Sequence, residues 1–300
     1  MADRRTRVEA NVDGNFFVDA SCIDCDACRQ LAPGNFAEAG EQSAVVRQPT
    51  SRDEELRSYR ALLACPTGSI GTERNDAELL REARASFPLP IEDEVLYCGY
   101  NAEASFGANS FFIRHSDGNW LVDSPRYVPD LVTAIERAGG IRWIFLTHED
   151  DVADAAKYAA RFGATRIIHR ADLDAMPEAE QIVDGIEPIA IMSDFTIIPV
   201  PGHTAGSCAL LYRGTGTRFL FTGDHLWWEP DRQRLNAPRQ LVWDRTQLDA
   251  SIARLREYSF DWVVAGHGDR VRLPRETMRQ AFDELVARRR AATPEPVEFP

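Results

Sequence analysis

Four times along the chain, an apolar, strand-like run ends in a small residue and then in histidine or aspartate. Residues 143–146 lead to Thr147-His148, and residues 194–200 lead to Pro201-Gly202-His203. Residues 219–222 lead to Gly223-Asp224, and residues 262–265 to Gly266-His267. A chain with this layout is constrained to build sheets that deliver side chains to one edge, where α/β folds keep their chemistry. Glycine lets the backbone turn tightly where a side chain must face inward. A lone histidine at a strand end is usually a satisfied polar residue, but three histidines and an aspartate in one register specify a site. Imidazoles with a carboxylate between them suit zinc, iron or manganese, and an open coordination position activates water.

The first of these ends continues as Glu149-Asp150-Asp151-Val152-Ala153-Asp154-Ala155. Apolar residues at 153, 155, 156, 158 and 159 keep helical spacing, so Asp150 or Asp151 is expected to cap a helix. Any of Asp150, Asp151 and Asp154 that is not a metal ligand is a candidate general base. His225 follows Asp224 and is a candidate pocket residue. His115 and His169 lack motif context and are expected to be structural. Trp227-Trp228 after a strand is expected to pack, as are Cys98 and Cys208 within strands.

A second constellation lies near the N-terminus. Cys22-Ile-Asp-Cys25-Asp-Ala-Cys28 puts three thiolates at a spacing that grips three corners of an iron–sulfur cluster. The bacterial two-cluster run would add a cysteine before Pro33, but Ala32 stands there, and in such proteins that cysteine serves the other cluster. One cluster is therefore expected, with Cys65-Pro66 supplying the fourth corner after a helical segment at 53–63. Zinc could use the same thiolates, but this crowding and a remote Cys-Pro fit a [4Fe–4S] cubane better. Residues 16–70 resemble a single-cluster bacterial-type ferredoxin, which implies a small α+β fold that passes one electron at a time.

Residues 76–85 have helical composition, and Pro88 and Pro90 mark a stiff connector at 87–91. The expected division is 1–86 for the ferredoxin-like domain and 87–300 for the larger one. Strands are expected at 95–99, 110–114, 120–123, 165–169 and 208–212, with a hairpin turn at Asp117-Gly118. Helices are expected at 130–137, 245–258 and 274–289, the last burying Met278, Ala281, Phe282 and Leu285.

From residue 95 to the last helix the chain resembles the metallo-β-lactamase fold of the metallo-hydrolase/oxidoreductase superfamily. Thr147-His148, Pro201-Gly-His203-Thr-Ala-Gly-Ser207, Gly223-Asp224 and Gly266-His267-Gly268 match its motifs in order. The resemblance implies an αββα sandwich with metals at one edge, so the whole chain is expected to be α+β. It also implies that His203 ligates the first metal, Asp224 bridges, and His267 ligates the second. Asp123 matches an aspartate that ties loops together below the site. The usual His-x-His-x-Asp-His is altered: Asp150 replaces the second histidine, and Val152 and Ala153 replace the final pair. Aligning Asp154 with the family aspartate still leaves Ala155 in place of histidine. The expected ligands are thus His148, Asp150, His203, Asp224 and His267, around one or two zinc or iron ions, with manganese also compatible. The extra carboxylate shifts preference toward iron or manganese.

Three functions fit these residues. One is a hydrolase in which metal-bound hydroxide attacks an ester, thioester, lactone or phosphoester. Another is an iron-dependent oxidoreductase fed with electrons by the cluster. The third is a non-enzymatic electron-transfer protein on a degenerate scaffold. A small-molecule substrate and a redox partner for the ferredoxin-like module are implied, with pocket walls expected from 100–108 and 226–241. A net charge of −13 argues against nucleic acid. No apolar run approaches the ~18 residues of a membrane span, no signal peptide is evident, and a cytoplasmic location is expected. Lys157 is the only lysine, which argues against Schiff-base chemistry.

Overall fold

The computed structural model describes residues 2–291. Two sheets form its larger part. The first has seven strands in the order Gln181–Val183, Thr165–His169, Trp143–Phe145, Trp120–Val122, Phe111–Ile113, Val95–Tyr97 and Leu89–Glu92. The first four are mutually parallel and the rest antiparallel. The second has six, in the order Ile189–Ala190, Phe195–Pro199, Cys208–Arg213, Arg218–Gly223, Trp262–Ala265 and Val271–Arg272.

These strands are apolar runs rather than alternating ones because both faces of each sheet are covered. Between the sheets, Trp120 stacks on Phe195 with ring centroids 4.2 Å apart, and Phe111 meets Phe221 at 5.5 Å. Helices Pro129–Arg137 and Ala155–Phe162 close the outside of the first sheet through Leu131, Ile135 and Tyr158. Helices Arg245–Leu255 and Arg275–Ala291 close the second through Leu248, Ile252, Met278, Phe282 and Leu285. The result is an αββα sandwich.

A smaller α+β lobe precedes it. Phe16–Val18 pairs with Ile70–Thr72, and Phe36–Glu38 with Ser43–Val45. Helix Arg52–Ala64 starts at the Ser51 cap, and helix Ala77–Ser86 starts at Asp76, whose carboxylate accepts from the backbone of Glu78 and Leu79. Phe16, Tyr59, Phe36, Val45 and Leu79 form its separate core.

Two local expectations fail. The proline-marked connector is partly a strand: Leu89–Glu92 forms the free edge of the seven-stranded sheet, where Pro90 needs no ladder hydrogen bond. The helix after His148 begins only at Ala155, preceded by a 3-10 turn over Glu149–Asp151, and neither Asp150 nor Asp151 caps it. Among the described residues, no helix is long and apolar enough to cross a membrane.

A candidate metal centre at the sheet edge

His148 leaves the end of its strand fully buried, and its orientation is set by its neighbours. Asp123 accepts hydrogen bonds from the Thr147 backbone N–H at 2.8 Å and from Thr147 Oγ1 at 2.9 Å. With its own proton committed to Asp123, Thr147 Oγ1 can only accept from His148 Nδ1, 3.0 Å away. The imidazole is thereby held as the Nδ1–H tautomer, with the Nε2 lone pair free to bind a cation. Burial pushes both Asp123, to about 7, and the more deeply enclosed Asp151 above the usual carboxylate range, with Asp224 nearby adding to the effect.

His148 Nε2 lies 3.6 Å from Asp150 Oδ2 and 3.7 Å from Asp224 Oδ2. His203 Nε2 lies 3.4 Å and 3.7 Å from the same two oxygens. Such spacings are close to the ~3.3–3.5 Å that donors ~2.0–2.2 Å from one shared zinc present to one another. Two triads, His148–Asp150–His203 and His148–Asp151–Asp224, each bring one potential ligand atom per residue within 4.8 Å of the others. Among the described residues, His148 Nε2, both ring nitrogens of His203 and both oxygens of Asp151 are buried without a hydrogen-bond partner. Buried polar atoms left like this are costly, and a cation would satisfy them, so the donor set fits a metal.

Gly266 makes the approach of the carboxylates feasible. A Cβ there would sit 2.8 Å from Asp224 Oδ1 and 3.0 Å from Asp151 Oδ2. Burial alone would push Asp224 up, but the His267, His148 and His203 rings outweigh it and hold Asp224 well below the usual range. His225 is buried with both ring nitrogens unpartnered, and burial, reinforced by His203, lowers it to about 3.

Two further residues of the expected set make contacts of their own. His267 belongs to neither triad. Its Nδ1 is 2.7 Å from Asp224 Oδ1, and its Nε2 is 3.3 Å from the Phe106 carbonyl, so both nitrogens are already engaged. Against the opposing effect of burial, Asp224 raises it to about 10. Asp154 is a loop tie: one oxygen accepts from the Tyr127 backbone N–H at 2.7 Å, and the other pairs with Lys157 at 2.7 Å. Trp228 packs in the second core, and His115 pairs with Asp194.

No motif in the sequence marks Asp172. This buried carboxylate accepts from Thr204 Oγ1 at 2.6 Å, the Gly206 backbone at 2.7 Å and the Glu149 backbone at 3.1 Å. It thereby ties the His148 turn to the His203 loop.

In the small lobe, Cys22, Cys25, Cys28 and Cys65 are free thiols lining one pocket with Val18, Ile70 and Pro66. Burial pushes Cys28 up to about 12. Four enclosed thiols with no disulfide suit iron, which binds the thiolate and offsets that cost. The lobes also meet beside the metal centre. A Cβ on Gly107 would lie 2.4 Å from Cys25 Cβ, and the Gln30 amide donates to the Gly268 carbonyl at 3.1 Å. Arg126 donates to the carbonyls of Leu63 and Cys65, both at 3.0 Å.

The chain is similar to several known proteins. The family described as "4Fe-4S single cluster domain of Ferredoxin I" matches residues 18–72. A hydroxyacylglutathione hydrolase of Acidiphilium cryptum is 31% identical over 107 residues, covering 34% of this chain and 44% of that protein. Its counterpart from Cereibacter sphaeroides is 33% identical over 109 residues, covering 35% and 42%. The chain thus spans less than half the length of these relatives. A class B3 di-zinc metallo-beta-lactamase from an Alaskan soil metagenome superposes with a TM-score of 0.48 at 16% identity, covering 70% of this chain and 94% of that one. A metallo-beta-lactamase from Elizabethkingia meningoseptica gives 0.48 at 15%, covering 68% and 90%. The family described as "Metallo-beta-lactamase superfamily" matches residues 105–267, more than half of the chain, and the protein belongs to that superfamily.

Proposed function

We propose that the chain is a metal-dependent hydrolase of an acyl ester or thioester, within a class that also includes lactones and phosphoesters. One observation carries this reading: the unpartnered Nε2 atoms of His148 and His203 both face Asp150 and Asp224 at 3.4–3.7 Å. His148, His203, Asp150 and Asp224 would hold the ion, with Asp151 at hand for a second. When bound, a divalent cation supplies Lewis acidity and brings the ionisation of a coordinated water toward neutral pH. Two imidazoles and two carboxylates suit zinc, iron or manganese. The relatives' name, hydroxyacylglutathione hydrolase, points to a thioester. Water then adds across the acyl–sulfur bond, giving a carboxylic acid and a thiol with no change of oxidation state.

The remaining residues position this set. Thr147 and Asp123 fix the His148 tautomer, and His267 orients Asp224. Asp150 is the ligand candidate open to solvent, and an oxygen it does not commit to the ion can take a proton from water.

The contact of Cys25 with Gly107 favours a second reading, in which the cluster supplies electrons to iron at the sheet edge. Residue 107 directly follows Phe106, whose carbonyl meets His267. Metal analysis of anaerobically purified protein separates the two. About four irons per chain together with zinc supports hydrolysis, whereas iron beyond about four with oxidant-driven turnover supports the second. In either case His203→Ala should remove the non-cluster metal and leave the cluster's visible absorption. Loss of both signals in His203→Ala would sink the assignment of the two sites to separate donor sets.

A further inference from the structure

We infer that Phe106, Leu241 and Trp243 form an apolar rim that receives a bulky hydrocarbon or aromatic group on the acyl substrate. The inference rests on the hydrolase reading and narrows its substrate class. Among the described residues these three are the most exposed large hydrophobics, at 67%, 89% and 60%. They come from two distant segments, yet each is tied to a histidine of the candidate centre. The Phe106 carbonyl meets His267 Nε2 at 3.3 Å. The Trp243 backbone N–H donates to the His203 carbonyl at 2.8 Å, and the Leu241 backbone lies against the His203 ring. Phe106 therefore stands on the His267 side of the metal donors, with Leu241 and Trp243 on the His203 side.

Backbone conformation supplies a second observation. Phe106 has φ +48° and Leu241 φ +53°, the left-handed region that aromatic and branched residues avoid. Strain of this kind persists where the surrounding structure enforces it, and it gathers at ligand clamps. Here it holds two large apolar side chains out in water, against the tendency to bury them. A ligand that presents its reacting carbonyl to the carboxylate and imidazole donors would have apolar surface on either side. Occupation by such a group removes that surface from water, and a short or strongly polar acyl group gains nothing there.

The test uses the zinc-reconstituted full chain and two metal-seeking probes, acetohydroxamate and octanohydroxamate, titrated by calorimetry. Octanohydroxamate is expected to bind about a hundredfold more tightly, from partial burial of its six additional methylenes. In the double variant Phe106→Asn/Leu241→Asn the ratio of the two affinities should fall toward one. Asparagine tolerates left-handed backbone, so this variant should melt at the same temperature or higher. A purely structural role for the two residues would instead lower the melting temperature and leave the ratio intact. Equal affinities in the wild type, absence of binding by both probes, or a ratio that survives the double variant would overturn the inference. So would a wild-type dimer that becomes monomeric in the variant, since the rim would then meet a second copy. Chain-length preference without turnover of any ester, thioester, lactone or phosphoester would sink the hydrolase reading and leave the rim standing.

Discussion

The cysteine pocket and the sheet-edge centre each gather four or more donors toward one place, but they do it over different lengths of chain. Three of the four cysteines fall within seven residues, on one loop and the short helix Ala27–Leu31. The candidate metal donors come from three separate strand ends, spread from His148 to Asp224. A compact loop can carry most of a cluster site with little help from the remaining fold. A distributed site needs residues that bind nothing themselves, such as Asp123, Thr147 and Asp172, to hold its parts in register.

The sharpest way to break this contrast is at the place where the two regions touch. Gly107 has φ +86°, and a Cβ there would fall 2.4 Å from Cys25 Cβ and 2.8 Å from its Sγ. Gly107→Val combines that clash with a backbone penalty and is expected to cost about 3 kcal/mol or more. Because Phe106 precedes it and contacts His267, the cluster absorption and the non-cluster metal should fall together in anaerobic preparations. If one signal survives at full strength, the regions are independent and the contact is only packing.

Cys65→Ala should have a narrower effect. Its thiol lies 3.2 Å from Ser69 Oγ in the pocket, while its carbonyl is held by Arg126. The visible cluster absorption should vanish, and metal at the sheet edge should be retained within about twofold, because the sandwich keeps its own core. Loss of edge metal on the same scale as the cluster would show that the large domain depends on the small one for its site.

What the sequence discloses follows the same division. Cysteine spacing is a local property, so the four-thiol pocket is legible without knowing how the chain folds. The strand ends are legible for a related reason, since an apolar run stopping at Gly or Thr before His fixes where a side chain must emerge. Side-chain direction beyond that point is not legible. The helix after His148 starts three or four residues later than a cap at Asp151 or Asp150 requires, and Ala153 takes φ +30°. As a result Asp151 turns inward against Asp224 while Asp154 turns to Tyr127 and Lys157. His267 has the expected position in the motif, and the structure sets its ring between Asp224 and the Phe106 carbonyl. The meeting of Cys25 with Gly107 links positions 82 residues apart through packing, which no spacing rule encodes.

Asp172 gives the finest test, because it acts on the distributed site alone. It lies in the 3-10 turn Arg170–Ala175, two residues from Asp174, and composition does not distinguish the two. Only Asp172 is buried, with three donors from the two ligand-bearing loops converging on it. Asp172→Asn keeps the volume but removes the charge and replaces one acceptor oxygen with a donor, so at least one bond is lost. A charge-assisted hydrogen bond is worth about 1.5–3 kcal/mol, and loss of an outer partner typically lowers metal affinity about 10–100-fold. The His148 turn and the His203 loop should then separate, weakening edge-metal binding by that factor in a chelator competition. Cluster absorption should stay at the wild-type level, because nothing bonded to Asp172 belongs to the small lobe. Asp174→Asn, at a neighbouring position without this network, should change neither signal. Equal metal affinities in the two variants would mean that the distributed centre does not need its outer ties, and that the contrast with the cysteine loop is one of chain length alone.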